Sequence, residues 1–511
     1  GGPSFLTAPS PIADSDIKET VEADIVIVGA GLSGISAARA AVESGAKNIV
    51  VVEKATTWQY RSNQVGCIGG KIQEDLGIHI DKNAAVGQIM KECGYRPNQR
   101  ILNLWADNSG EAFDWFLAAS EGQYVVEAES DTYDGTSMSV RKMHWPHPAE
   151  ANVADDFYPI FDDCQICLPD NGPYIQNMVD ICEKAGVQFL YSTFARQLVR
   201  PDNAGRVEGV IVEDENGDYK KITASKAVLL ATGDYASNAE MMSYYVPWSD
   251  RFMSIFPNVD AKGEKTNTGD GQQMGMNVGG HLDVGPHAVM AHILQFGQEF
   301  FLQVNEHGER FTNEDLSMTN IAKVMQNQPG SKVFQIIDSH WPEQYPMLEM
   351  VMENIRSYGD GEGFSAQADS LEELASQLEL SADATQNLTA AVARYNELCE
   401  KGVDEDFGKA AEKMFPVVDP PFYAITYDML KHTSVEDVSC MRLLVTMGGL
   451  VTDDNARVLN DDMEPIPGLF AVGNVQGGRF VEDYPFTLSG ASHAAALTYG
   501  YLTGKYLAEQ A

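Results

Sequence analysis

Three glycines near the N-terminus have the clearest chemical meaning in this sequence. They belong to the segment Gly29-Ala30-Gly31-Leu32-Ser33-Gly34, between a predicted strand and a predicted helix. Gly29 permits a tight turn, Gly31 lets the backbone approach a pyrophosphate, and Gly34 lets the helix pack closely on the sheet. Glu53, at the end of the next predicted strand, is placed to accept hydrogen bonds from an adenosine ribose. A glycine-rich turn without ligand is the alternative, but strand, helix and acidic residue together favour dinucleotide binding.

The elements that must position these residues form one βαβ unit. Asp24–Val28 is a short apolar, β-branched run, which is typical of a buried parallel strand. Ser33–Ser44 has the spacing of a helix that ends before Gly45. Asn48–Glu53 is the next predicted strand. The order strand, helix, strand predicts a Rossmann-type domain.

Strand patterns continue in the middle of the chain. Val207–Val212 and Tyr219–Ile222 flank Asn216-Gly217, a dipeptide that favours a tight hairpin turn. Ala227–Thr232 is a further apolar run and predicts a separate buried strand. We therefore expect the first domain to extend well beyond the βαβ unit.

A second domain is predicted within the first. Leu371–Leu380 and Ala382–Glu400 carry apolar residues at helical spacing, with Ser381 as an N-cap and Gly402 as a stop. After Met447 the pattern of strands and glycines returns. We predict an α/β fold in which an α+β domain interrupts the Rossmann-type domain, and a flexible linker precedes both. The predicted ranges are 1–20 for the linker, 21–284 and 436–511 for the Rossmann-type domain, and 285–435 for the insertion.

Composition limits the partners of the chain. The 511 residues include 35 Lys and Arg against 74 Asp and Glu, a formal net charge of -39. Such a surface repels phosphate backbones, so nucleic acid is excluded as a partner. A basic redox protein fits the charge, although simple solubility explains it too. No stretch reaches the roughly 20 apolar residues that cross a bilayer, so we expect no transmembrane segment.

Cysteines and the N-terminus give weaker indications. Seven cysteines form no disulfide framework, and the pair Cys164 and Cys167 lacks a second pair at zinc spacing, so we predict no metal site. Residues 1–13 are small, contain proline and lack an initiator Met, which fits an expression scar or the remnant of a removed signal peptide. An extracytoplasmic, exported protein is therefore expected, with a cytoplasmic location left open.

Several motifs together resemble one family. Ala231-Thr232-Gly233-Asp234 followed by Asn238 is similar to the ATGG segment of FAD-dependent enzymes, and Gly468 to Asn474 is similar to their C-terminal flavin-binding strand. In this order the motifs resemble the soluble fumarate reductase and succinate dehydrogenase flavoprotein family over nearly the whole chain. The other matching segments are Thr268-Gly269-Asp270-Gly271, Gly308-Glu-Arg-Phe-Thr-Asn313 and Thr446-Met-Gly-Gly449.

The resemblance implies FAD as cofactor and a capping domain that closes over the flavin ring. Beside the glycine segment and Glu53, it implies cofactor contacts at Lys54, Ser62, Asn63, Gly69, Gly70, Ala195, Ala231, Thr232, Gly233, Asn238, Asp270, Gly473, Asn474, Leu488 and Gly490. A second glycine fingerprint and a CxxCH haem motif are missing from the sequence. Electrons are therefore expected from an external donor, a cytochrome, another redox protein or a small carrier, in a setting such as anaerobic respiration.

Departures from the family pattern concern the substrate. The arginine that protonates the substrate carbon aligns with about Met318, and a carboxylate-binding arginine aligns with Thr487. The resemblance thus implies substrate contacts at Ser317, Met318, Thr487 and Gly490. The family's histidine before the Thr-Met-Gly-Gly turn aligns with Val445. A site without two guanidinium groups loses bidentate carboxylate recognition, so fumarate is not the expected substrate.

Tyrosines and histidines are the candidate catalytic groups instead. Tyr484 and Pro485 precede Gly490, an arrangement similar to 3-ketosteroid dehydrogenases and to gut-bacterial enone and enoate reductases. A phenol there can polarise a carbonyl or donate a proton, whereas packing under the flavin is the structural alternative. His287, His292 and Tyr235 are further candidate proton donors, each with a core-packing alternative.

The sequence thus predicts an FAD-dependent oxidoreductase with a Rossmann-type FAD-binding domain and an inserted α+β capping domain. The predicted reaction reduces a carbon-carbon double bond conjugated to a carbonyl, in a small-molecule substrate that is neutral or a monoacid and aromatic or polycyclic. Two alternatives stay open. One is the reverse reaction, a ketosteroid-type dehydrogenase or oxidase, and the other is a non-catalytic electron-transfer flavoprotein.

Overall fold

A computed structural model gives the structure of the chain. It describes residues 2–61, 64–127, 138–141, 171–249, 253–254, 257–291, 301–344, 364–428, 442–485, 487–488 and 490–510. The predicted site residues Ser62, Asn63 and His292, and the pair Cys164 and Cys167, lie outside the described residues.

The predicted βαβ unit forms the centre of the main sheet. β1 (Ile17–Val28) pairs in parallel with β2 (Ile49–Val52), and α1 (Leu32–Glu43) connects them. The last four residues of β1 and all of β2 are buried, as expected of parallel strands covered on both faces. The βαβ prediction is confirmed.

The sheet grows outward from this unit on both sides. β5 (Gln188–Leu190) lies beside β2, while β8 (Tyr219–Leu230) and then β17 (Pro465–Ala471) lie beyond β1, all parallel. Antiparallel strands complete it: β16 (Arg457–Leu459) on β17, and the ribbon of β6 (Phe194–Val199) and β7 (Gly209–Glu213) on β8. The sheet confirms the α/β class.

Two expectations about this sheet differ from the structure. The predicted hairpin around Gly217 is present, but Tyr219–Ile222 and Ala227–Thr232 belong to the single strand β8, which follows β1 through a register shift. The segment predicted as a linker is packed, because β1 begins at Ile17 and pairs with Tyr219. Phe5 is also buried there, 5.6 Å from the ring of Tyr245. Apolar side chains far along the chain hold this segment, which its own composition does not indicate.

Helices and small sheets surround the main sheet. The helices are α2 (Lys71–Asp75), α3 (Lys82–Glu92), α4 (Gln99–Ala118), α5 (Gly172–Lys184), α6 (Ala239–Tyr245) and α7 (Asp270–Asn277). β3 (Val125–Glu127) pairs with β4 (Ser139–Arg141). A three-stranded sheet joins β9 (Met253–Ser254), β10 (Val289–Ala291) and β15 (Arg442–Thr446). No helix among the described residues is both long and apolar enough to cross a membrane.

The region of the predicted insertion has its own sheet. β11 (Leu302–Asn305), β12 (Lys332–Ile337), β14 (Phe422–Asp428) and β13 (Ala366–Ala368) pair antiparallel in that order. Its helices are α8 (Met318–Met325), α9 (Trp341–Gln344), α10 (Leu371–Gln377) and α11 (Ala382–Lys401). Ser381 caps α11 by accepting the Ala384 N–H at 3.1 Å, as predicted. The domain boundaries themselves stay a prediction.

The last helix brings the C-terminus back to the first. In α12 (Ala491–Glu509), two glycines face α1 so closely that a Cβ on Gly500 or Gly504 would lie 2.7 Å from Ser33 O or 2.3 Å from Ala37 O. This backbone contact sets the middle of α12 against the first turns of α1.

Candidate active site

Two of the fingerprint glycines are required by the fold. Gly29 has φ of +113°, and a Cβ there would lie 2.1 Å from Ala231 O. A Cβ on Gly34 would lie 2.0 Å from Gly29 O, so Gly34 keeps α1 against the turn. Gly31 differs, because the nearest atom to its added Cβ is Gln59 O at 4.0 Å. The space before Gly31 is therefore open to a ligand, while the turn around it is tightly packed.

Glu53 is held in the position that the fingerprint requires. Its Oε1 accepts the Ala30 N–H at 3.0 Å and its Oε2 accepts the Ala55 N–H at 2.8 Å. Burial raises the pKa of this carboxyl, and the two backbone N–H groups oppose the rise. Its fixed oxygens stand beside the first turn of α1, whose N–H groups have no intrahelical acceptors.

Other predicted cofactor residues join three loops. Lys54 Nζ lies 2.8 Å from Asp270 Oδ2, at the start of α7. Asn238 caps α6 and donates from Nδ2 to Thr268 O at 3.0 Å. Ala195 lies in β6, two residues after Thr193, whose N–H donates to Glu53 O at 3.1 Å. These contacts connect the end of β2 with β6, α6 and α7.

The Ala231-Thr-Gly-Asp234 turn lies at the centre of these loops and connects two of them. The buried Asp234 accepts Arg61 Nη1 at 2.9 Å and the Thr446 N–H at 3.1 Å, which joins the loop after β2 to β15. Thr232 Oγ1 is buried and has no hydrogen-bond partner among the described residues. A buried hydroxyl without a partner is expected where a bound molecule supplies it.

The loop carrying Gly69 and Gly70 lies against α4. Gln73 Oε1 accepts both of their N–H groups, at 2.8 and 3.2 Å. A Cβ on Gly110 of α4 would lie 2.3 Å from Ile68 O, so the helix and the loop touch through backbone. This loop is fixed by packing, close to the chain segment of Gln64 and Val65.

C-terminal residues complete the cofactor end of the site, the part that contains the Gly29–Gly34 segment, Glu53 and the Ala231–Asp234 turn. A Cβ on Gly473 would lie 2.7 Å from Ser33 Oγ, and Asn474 Oδ1 accepts Ser492 Oγ at 3.0 Å. Leu488 is buried, and Gly490 directly precedes α12. A Cβ on Gly490 would lie 2.7 Å from the Gln64 carbonyl carbon. Residues more than 400 positions apart therefore meet here, in the order that the motifs imply.

Comparison with known proteins identifies this arrangement. The sequence profile of the family described as FAD binding domain matches residues 24–484. The chain belongs to this FAD-binding family. FAD is its cofactor, and the protein is an FAD-dependent oxidoreductase. The residues at the cofactor end fit FAD, because the approach to Gly31 is open and Thr232 Oγ1 lacks a partner within the described chain.

Relatives of this FAD-binding protein cover nearly its whole length. A vinyl phenol reductase from Lactiplantibacillus plantarum is 25% identical, over 95% of this chain and 96% of the relative. A solved 3-ketosteroid-Δ4-(5α)-dehydrogenase from Rhodococcus jostii RHA1 has a TM-score of 0.72 at 23% identity, over 98% of this chain and all of the other. A flavocytochrome c3 fumarate reductase in its open conformation has a TM-score of 0.66 at 23% identity, over 97% of this chain and 79% of the other. The two structures share the fold, and the predicted resemblance is confirmed.

The Tyr484 hydroxyl lies at the start of α12. Burial raises the pKa of Tyr484 to about 12, and the nearby backbone N–H groups of Ser492 and Ala491, with the Arg479 guanidinium, oppose the rise. Only 9% of the residue is exposed. A neutral phenol beside backbone N–H groups can accept from them and donate its own proton to a ligand.

The positions where the family has arginine and histidine have other partners here. Thr487 Oγ1 donates to Glu92 Oε1 at 2.8 Å, so Thr487 binds a half-buried carboxyl at the end of α3. Ser317 caps α8 by accepting the Asn320 N–H at 3.1 Å, and Met318 is the first residue of that helix. Val445 is buried in β15. The roles of these residues in substrate binding stay predictions.

Tyr235 and His287 bind each other inside the protein. The Tyr235 hydroxyl lies 2.6 Å from His287 Nδ1, and His287 Nε2 lies 2.6 Å from Asp283 O. The carbonyl can only accept, so Nε2 carries the proton and Nδ1 accepts from the tyrosine. Burial lowers the pKa of His287 to about 4, which keeps the ring neutral. Both residues are at most 1% exposed, so their contacts favour a structural role, and their catalytic role stays a prediction.

Two functional candidates escaped the sequence reasoning. Burial raises the pKa of Glu92 to about 7, despite its bonds to Thr487. Its place on an ordinary amphipathic helix carries no signal of this. Arg479 is 0% exposed, and its one signal is an arginine in the glycine-rich segment Gly477-Gly-Arg-Phe480 after the predicted flavin strand.

Proposed function

We propose that this FAD-dependent oxidoreductase acts on CH–CH groups and reduces a carbon-carbon double bond conjugated to a carbonyl in a neutral or monoanionic substrate. The main support is the Tyr484 hydroxyl, which faces the backbone N–H groups of Ala491 and Ser492 at the start of α12 and can donate its proton to a carbonyl. FAD supplies the hydride chemistry when bound. The residues of the chain orient the substrate and stabilise the charge that develops on its carbonyl oxygen.

The substrate end of the site, the part that contains Tyr484, Thr487 and Glu92, also disfavours a dicarboxylate. Thr487 is bound to Glu92, whose carboxyl would repel a substrate carboxylate whenever it is ionised. Asp483, which also faces Glu92, adds to that repulsion. A monoanion or a neutral enone avoids the need for two guanidinium partners.

The relatives support a reductase of this kind. The vinyl phenol reductase is named for an unsaturated aromatic substrate without carboxylates, and this chain covers 96% of it. The same site geometry serves the reverse reaction, since a group that stabilises an enolate does so in either direction.

The electron donor and location belong to the same proposal. We infer an external redox donor with a basic docking surface, because the net charge of -39 attracts a positively charged partner. An extracytoplasmic location and a role in anaerobic respiration complete the proposal. Salt dependence of reduction by a basic cytochrome tests the charge argument.

The experiment follows the oxidation of reduced protein by candidate acceptors. Protein loaded with FAD is reduced anaerobically with one equivalent of dithionite and mixed with cyclohex-2-en-1-one, cinnamate or fumarate. We expect at least one neutral or monoanionic acceptor to reoxidise the flavin at least roughly 10²-fold faster than fumarate. Fumarate that reoxidises the flavin as fast as the best of them would overturn the proposal. Colourless, folded protein that takes up no FAD would overturn the cofactor assignment itself.

A further inference from the structure

Arg479 is an unusual buried cation. Its Nε donates to Gln476 O at 2.7 Å, and its Nη2 lies 3.8 Å from Met447 Sδ. Its Nη1 is buried without a hydrogen-bond partner among the described residues. The guanidinium carbon also lies 5.6 Å from the centre of the Phe480 ring. One oxygen, one sulfur and one ring therefore surround a full positive charge.

Arg310 shows how this fold usually accommodates a buried guanidinium. Arg310 Nη2 lies 2.8 Å from Glu314 Oε1 and 2.8 Å from Asp404 Oδ2, so two carboxylates balance its charge. No carboxylate oxygen of the described residues forms such a pair with Arg479. Burying an unpaired charge is costly, and a structural arginine would be paired.

The charged and titratable groups facing Arg479 are few. They are Asp283, which precedes β10, Tyr484, and Tyr499 of α12. The Asp283 carboxylate is bonded to the Gly449 and Gly478 N–H groups, at 3.2 and 3.1 Å. Burial lowers the pKa of Arg479 to about 10, which leaves it protonated at neutral pH.

The location of this charge links it to the cofactor. Met447 belongs to the Thr446-Met-Gly-Gly449 turn, and Gln476 follows Asn474 by two residues. Both segments carry motifs of the FAD-binding family, and the Arg479 side chain lies between them. In a buried region of low effective dielectric, a charge without a direct carboxylate partner acts over several ångströms with little screening.

We propose that Arg479 is an electrostatic residue that favours the reduced form of the bound flavin and thereby raises its midpoint potential. Uptake of two electrons and one proton adds one negative charge to the isoalloxazine, and a nearby buried cation stabilises that charge. This inference needs FAD binding only. It holds for either direction of catalysis and for any substrate, so it is independent of the proposed reaction.

The test measures the midpoint potential of the FAD-loaded protein by anaerobic equilibration with reference dyes. Arg479→Met keeps the side-chain length without the charge and is expected to shift the potential downward. Arg479→Lys keeps the charge and is expected to stay near the wild-type value. Arg100→Gln is the control, because Arg100 is 77% exposed and paired with Asp454, and it should leave the potential unchanged.

A second variant guards against a folding defect. Asp283→Asn removes the negative charge that faces Arg479, and its amide oxygen can still accept from Gly449 or Gly478. We expect this variant to shift the potential upward, a direction opposite to that of Arg479→Met. A wild-type potential in Arg479→Met overturns the inference, and so does a wild-type potential in Asp283→Asn if the methionine variant does not fold.

Discussion

The cofactor end and the substrate end of this site are held together differently. At the cofactor end one decisive contact is local, the Ala30 N–H with Glu53, 23 residues apart, although residues from distant parts of the chain also meet there. At the substrate end Thr487 binds Glu92 across 395 residues. A local contact can be predicted from a motif, because strand, turn and helix position its members together. The long-range contact depends on how distant helices meet, so residue types there have to be interpreted through the fold.

The largest expected effect tests the cofactor end. Gly31→Leu should lower FAD affinity at least roughly 10²-fold, because the side chain enters the space that a pyrophosphate needs. The fold should survive, since no protein atom lies within less than 4.0 Å of the added Cβ. Flavin absorbance after gel filtration and the thermal midpoint of the apoprotein measure the two properties separately.

A matched glycine provides the control for that variant. Gly87 is exposed on α3 and an added Cβ meets no atom within 4 Å, so Gly87→Leu should bind FAD like the wild type. Normal FAD content in Gly31→Leu would remove the functional difference between Gly31 and the packed glycines Gly29 and Gly34.

How much the sequence could predict follows the same division. The βαβ unit, the Ser381 cap of α11 and the FAD-binding family are confirmed, because each depends on neighbouring residues with strong local preferences. The single strand β8 and the packing of Phe5 were missed, since both depend on partners in other parts of the chain. Arg479 and Glu92 became visible only once burial and partners were known, because neither residue type in its local pattern signals a buried charge.

A smaller effect, on stability, is expected from the half-buried Glu92 carboxyl at the substrate end. The pKa of Glu92 is about 7 in the folded protein against 4.5 ordinarily, so the folded state binds the proton more tightly. Stability is therefore lost as pH rises from about 4.5 to about 7. Glu92→Gln should match the wild type near pH 5 and be more stable at pH 8 by about 1–3 kcal/mol.

Chemical denaturation at the two pH values measures this difference. The glutamine oxygen can still accept from Thr487, so the variant changes the charge and not the contact. If the difference in stability between Glu92→Gln and the wild type were the same at pH 5 and pH 8, the raised pKa of Glu92 would be contradicted. That result would also make the substrate end less distinct from an ordinary polar surface.

The Tyr484 hydroxyl is expected to polarise the substrate carbonyl during hydride transfer. Tyr484→Phe keeps the ring and removes the hydroxyl, so it separates chemistry from packing. Stopped-flow reoxidation of the dithionite-reduced, FAD-loaded protein by its best enone acceptor measures the hydride step directly. We predict a rate lower by roughly 10² to 10³-fold with unchanged FAD content, the scale of a lost oxyanion donor. An unchanged rate in the phenylalanine variant would contradict the account and leave Tyr484 as a residue that only packs at the start of α12.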